Sequence, residues 1–149
     1  MLREKYSYTA DEDGASLTFE STGPKGVIKK VIRYEKVASW ADLSVYNLGF
    51  GDWSDELNDF DDSAASNNDD RDKVLATVAS TVLEFTEKNG QLVVAAEGVT
   101  PARTRLYQMA IRANLAEVEK YFLIYGMYQG IPYPFEPGIN YQSFFVMKK

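Results

Sequence analysis

Apolar and polar positions alternate with period two through the first fifty residues, and a period of 3.6 replaces it near residue 70. Tyr6 and Tyr8 alternate with Ser7 and Thr9 ahead of an Asp13-Gly14 turn, which predicts a first strand. Ala15, Leu17 and Phe19 then lie opposite Ser16, Thr18 and Glu20, and Gly23-Pro24-Lys25-Gly26 makes a second turn. Val27 to Val37 is rich in β-branched residues but carries Lys29, Lys30, Arg33 and Lys36 on both faces, as expected of an edge or exposed strand guarded by lysine. Leu43 to Phe50 predicts a fourth strand, ended by Gly51-Asp52.

From Asp70 onward Val74, Val78, Val82 and Phe85 form a helical stripe, widened by Leu75 and Ala79. Asp69 or Asp70 is placed to cap that helix, and Asn89-Gly90 to stop it. Leu92 to Ala96 is continuously apolar, the mark of a strand covered on both faces. Thr100-Pro101 is a strong helix start, after which Ala102, Leu106, Met109, Ala110 and Ala113 predict the buried face. Asn114 and Glu117 have capping-box spacing and suggest a further short turn. Phe122 to Tyr128 reads as a buried strand, GIPYPFEPG as a loop, and Tyr141 to Met147 as a last strand. The order ββββ-α-β-α-β-β predicts a single α+β domain over residues 1–149. Its sheet is expected to be mixed and mainly antiparallel, with two main helices and a parallel crossover near the middle.

Between the two halves lies an acidic loop, residues 52–69, without clear periodicity. Asp52 to Asp72 holds nine of the twenty-two acidic residues and one base, Arg71, so the net charge of −6 is concentrated there. The carboxylates Asp69, Asp70 and Asp72 are expected to fill the helix start, where a ligand anion would otherwise sit. Nucleic acid is disfavoured as a partner, because phosphate neutralisation needs a concentrated basic face. The N-terminal MLREKYSYTADED has no apolar run of the kind a signal peptide needs, no stretch approaches a membrane span, and a cytoplasmic location is expected. With no cysteine and no histidine, thiolate chemistry, a Ser-His-Asp triad and zinc on sulfur are excluded. Any catalysis would run on carboxylates, Tyr, Lys, Arg or backbone groups.

The strings VYNLGFGD, SNNDDRDKVLATVASTV and TPARTRLYQMAI resemble an uncharacterised family of small bacterial proteins, over most of the chain. The order of elements in the second half is also similar to the C-terminal half of the GNAT N-acetyltransferase fold. That resemblance implies an acyl-CoA-dependent N-acyltransferase, with acetyl-CoA as cofactor and Tyr107, of the Leu106-Tyr107 pair, as general acid. In place of the superfamily's Gly-rich pyrophosphate loop this chain has SNNDDRDK, and the two helices that follow the first GNAT strand are missing.

Three groups of residues are candidates for function. Tyr107 is the one catalytic candidate, and Arg103, Arg105 and Arg112 would form an anion clamp on the same helix. The alternative role for these four is to cover the edge of a core helix with their stems. In the acidic loop, Trp53 and Phe60 would anchor a basic protein partner, with Asp59, Asp61 and Asp62 as its charged contacts. The same loop, with Asp55 and Glu56, has oxygen ligands for a divalent cation but not the EF-hand spacing, and no metal is expected. The reading placed first is a non-enzymatic protein without cofactor that acts by macromolecular binding, as a regulator, inhibitor or antitoxin. The N-acyltransferase is the alternative.

Overall fold

Nine strands join in one open sheet in the computed structural model, which describes residues 4–61, 67–98 and 100–149. In chain order the elements are β1 (Thr9–Ala10), β2 (Ser16–Gly23), β3 (Gly26–Trp40), β4 (Leu43–Ser54), β5 (Asp59–Asp61) and α1 (Arg71–Asn89). There follow β6 (Leu92–Ala96), α2 (Pro101–Ala113), α3 (Leu115–Tyr121), β7 (Phe122–Tyr128), β8 (Ile131–Pro134) and β9 (Ser143–Lys148). The strands lie in the order β1-β2-β3-β4-β6-β9-β7-β8, with β5 added to the end of β4. Every pairing is antiparallel except β4 with β6. The fold is thus a single α+β domain with a mixed, mainly antiparallel sheet.

Period-two alternation puts one side chain in two on the helix-covered face. Register aligns them in rows: Leu17 beside Ile32 beside Phe50, and Val94 beside Val146 beside Ile124. These residues pack against Val74, Val78 and Phe85 of α1, Tyr107 of α2 and Val118 of α3. Removing each large apolar side chain from water contributes about 1.5–3 kcal/mol.

Of the two expectations for lysine-bearing β3, the edge fails and the exposed face holds: it is fifteen residues long and pairs with β2 on one side and β4 on the other, with Lys29 and Arg33 on the open face. Its charges are tolerated because those on the open face meet aromatic rings and carboxylates. The acidic loop is in part a hairpin, since β4 continues to Ser54 and turns back as β5. The Pro-rich loop contains β8, an edge strand, which is where proline is compatible with a sheet. The capping-box segment forms a third helix, α3.

Tyr6 and Tyr8 do not form the first strand; β1 is only Thr9–Ala10. The preceding residues cross α1 instead. Tyr6 N–H donates to Thr77 Oγ1 at 2.9 Å, and Tyr8 Oη donates to Glu84 at 2.7 Å. Helix α1 buries Thr77, Thr81 and Thr86 as well as its apolar stripe. Their hydroxyls donate back to helix carbonyls, and Thr81 also bonds the Tyr34 hydroxyl at 2.8 Å, so burial leaves no orphan. Burial pushes the Tyr34 phenol well above its usual range. Among the described residues no helix is long and apolar enough to cross a membrane.

Gly126 of β7 lies directly beneath the Tyr141 ring, where an added Cβ would collide with ring carbons. Gly126→Ala should therefore destabilise the domain by about 1–3 kcal/mol, measured by urea unfolding; an unchanged midpoint would contradict that packing. A second prediction concerns acid stability. The hydrogen bond from Tyr8, and then Lys88, hold the Glu84 carboxyl below the usual carboxylate range. A depressed folded-state value means that the stabilisation is present at neutral pH and is lost as pH falls below about 4. Because Glu84 is substantially exposed, Glu84→Gln should cost under about 1 kcal/mol at pH 7. The difference from wild type should shrink as pH falls through the carboxylate range, and a gap that stays constant across it would contradict the assignment.

Candidate functional site: a cleft at the ends of two parallel strands

Parallel pairing fixes where the cleft lies. Strands β4 and β6 run the same way, and each is followed in the chain by a helix that packs on the same face of the sheet. The starts of α1 and α2 therefore fall at one edge of the sheet, beyond the carboxyl ends of β4 and β6. The two strands are paired only through Ser44–Asn47 and Leu92–Ala95. Beyond Asn47, β4 runs on toward β5 while β6 ends at Ala96. Between the two helix starts, over Lys30 of β3 and Phe50 of β4, lies a cleft of about 660 Å³.

Residues 67–75 form one wall of the cleft, the start of α2 the other, and Lys30 and Phe50 the floor. Asn68 sets the first wall. It is 2% exposed, donates to Ser21 Oγ at 3.2 Å and to the Gly26 carbonyl at 3.0 Å, and accepts from Lys25 N–H at 2.8 Å. The chain leading into α1 is thereby pinned to the β2–β3 turn.

Asp70 occupies the N-cap position of α1 as expected, but its side chain makes no capping hydrogen bond. Tyr6 Oη and Ser21 Oγ both donate to Asp70 Oδ2 at 2.5 Å and draw the carboxylate away from the helix end. The expectation that carboxylates fill this helix start is corrected for Asp70, while Asp69 and Asp72 are exposed at the rim. The cause is a pair of hydroxyl donors supplied by residues far away in sequence. At the other wall Thr100 does cap α2, its Oγ1 accepting from Arg103 N–H at 3.2 Å.

The buried face of α2 differs from the alanine-rich stripe expected. Ala102 and Ala113 are exposed, and Arg103, Thr104, Tyr107 and Gln108 are buried. Gln108 is satisfied by the Ile139 carbonyl at 2.5 Å and Tyr141 N–H at 3.1 Å, and Thr104 Oγ1 by Gly98 N–H at 3.0 Å. Gly98 permits that contact, since a Cβ there would strike the backbone of Arg103 and Thr104.

The candidate residues separate into three places. Arg103, 8% exposed, lines the cleft with its guanidinium 5.0 Å from the centre of the Phe50 ring. Tyr107, 5% exposed, follows one turn later on the same face, deeper in the core. Arg105 and Arg112 are exposed and do not join Arg103. Trp53, Phe60 and Asp59 gather on the opposite, open face of the sheet. There Lys29 stands over Trp53 at 4.8 Å, and Arg33 lies 4.9 Å from Phe60 and 2.7 Å from Asp59. The Arg33 hydrogen bond holds the Asp59 carboxyl below its usual range. Asp61 pairs with Asp52 across the hairpin, and Asp62 lies outside the described residues. Asp52 meets Lys30 at 2.5 Å on the cleft face.

Asn68, Ser21 and the tether on Asp70 were not among the sequence candidates. Only their burial and partners single them out, and no local motif encodes those. In class, the molecule is an open-sheet α+β domain with a ligand-sized cleft at the carboxyl ends of two parallel strands. It belongs to a family of unknown function, DUF6934, whose family model matches residues 2–149. No curated protein and no solved structure matches the chain.

The tether on Asp70 is testable. Ser21→Ala and Tyr6→Phe each remove a hydrogen bond to a carboxylate, and each should cost about 1.5–3 kcal/mol in urea unfolding. Changes below about 0.5 kcal/mol in both would show that the carboxylate is not held there.

Proposed function

We propose that the cleft receives the phosphorylated end of an acyl-CoA and that the protein is an acyl-CoA-dependent N-acyltransferase. One observation carries this reading: a cleft of about 660 Å³ lies between the starts of α1 and α2, over Lys30 and Phe50. Backbone N–H groups at helix starts favour anions, and Arg71, Lys73 and Arg103 offset the carboxylates of Asp69, Asp70 and Asp72 at the lining. Asp70, tethered to Tyr6 and Ser21, does not compete for the end of α1. The resemblance of the second half to the GNAT fold points the same way, and the order β4-β6-β9-β7 supports it.

In this reading Arg71, Lys73 and Arg103, with the backbone N–H groups at the start of α1, hold the phosphates, and an acyl-CoA supplies the activated acyl group. Tyr107 is the proton source for the departing sulfur, because it stands one turn beyond Arg103 and deeper along the same face. Macromolecular docking on the acidic hairpin has less in its favour. Asp52 and Asp59 are already paired with Lys30 and Arg33, and Trp53 and Phe60 already lie against Lys29 and Arg33.

Thermal unfolding with and without millimolar acetyl-CoA tests the proposal. At a ligand concentration a hundredfold above Kd the folded state gains about 2.7 kcal/mol, a rise in Tm of roughly 5–10 °C for a chain of this size. Tyr107→Phe should keep that shift and lose at least about tenfold in acyl transfer to an amine. No shift with the wild-type protein would sink the acyltransferase reading and return attention to protein partners.

A further inference from the structure

Between α1, α2, α3 and the sheet lies a second and smaller cavity of about 70 Å³, which meets the lining of the cleft at Leu75. Its walls are apolar: Leu48 and Val94 from the sheet, Leu75 and Ala79 from α1, Ala110 and Ile111 from α2, with Tyr107 at one side. Leu75 is common to this cavity and to the cleft, and Tyr107 directly follows Leu106, another cleft residue. The cavity exists because Ala79 and Ala110, one on each helix, leave unfilled the space that longer side chains would occupy. A cavity so lined gives a water molecule almost nothing to bond, so it stays dry and suits an apolar occupant.

We infer that this cavity is an acyl-chain pocket and that the acyl group carried is a short aliphatic chain longer than acetyl, of about four carbons. The inference rests on the acyl-CoA reading of the cleft. Size sets the chain length. A cavity of about 150 Å³ admits the six carbons of benzene, so this one admits roughly three carbons beyond the carbonyl. Position supplies the second reason. Tyr107 lines the cavity and Leu75 is shared with the cleft, so a chain seated there lies against the cleft wall that would hold the rest of the acyl-CoA. Acetyl would leave most of the cavity empty, and a void forfeits contacts to its lining.

Isothermal titration of the full chain with CoA, acetyl-CoA and butanoyl-CoA tests this. Two added methylenes buried in an apolar pocket should make butanoyl-CoA bind roughly tenfold tighter than acetyl-CoA. Ala110→Leu, which fills the pocket from α2, should erase that difference and leave the Kd for CoA within about twofold. Ala79→Leu fills it from α1 and serves if the first variant does not fold, as judged by circular dichroism. Equal binding of acetyl-CoA and butanoyl-CoA by the wild type would overturn the pocket while leaving the acyl-CoA reading intact. So would a butanoyl preference that survives filling. Failure of CoA and both thioesters to bind would instead overturn the acyl-CoA reading itself, and the pocket with it.

Discussion

Parallel pairing of Ser44–Asn47 with Leu92–Ala95 is the constraint on which the rest of the molecule depends. Two strands that run the same way cannot be joined by a tight turn, so the chain must cross back over the sheet, and α1 is that crossing. Because β7 runs parallel to β6, with β9 between them, α2 and α3 form a second crossing of the same kind. Both helix starts are thereby brought to one edge. The cleft lies between those two starts, over Lys30 and Phe50 of the sheet.

The two faces of the sheet have separate work. On the helix side, Lys30, Phe50 and Arg103 meet at the floor of the cleft. On the open side, the β4–β5 hairpin lays Trp53, Phe60 and Asp59 against Lys29 and Arg33. A strand's period of two does this sorting, sending Asp52 to one face and Trp53 to the other. The acidic loop therefore neutralises part of the basic strand beside it. Its charges are less a free surface than composition suggests.

The wall of the cleft depends on contacts between residues distant in sequence. Asn68 anchors it to the β2–β3 turn, and Tyr6 with Ser21 turns Asp70 away from the end of α1. A local reading gives Asp70 to the helix as its cap, since proximity and propensity favour it. Two hydroxyls from other parts of the chain compete for the same carboxylate and prevail.

Period-two alternation placed β2 and β4, and period 3.6 together with Thr100-Pro101 and Asn89-Gly90 placed α1 and α2, because these signals act within a few residues. The mixed α+β class followed from their order. What the sequence could not decide was everything that needs a partner: that lysine-rich β3 is central, that Tyr6 and Tyr8 cross α1, and that α2 buries Arg103, Thr104 and Gln108. Apolar periodicity counts such residues as surface. They are buried because donors and acceptors from elsewhere in the fold satisfy them, and that compensation exists only once the sheet has closed around them.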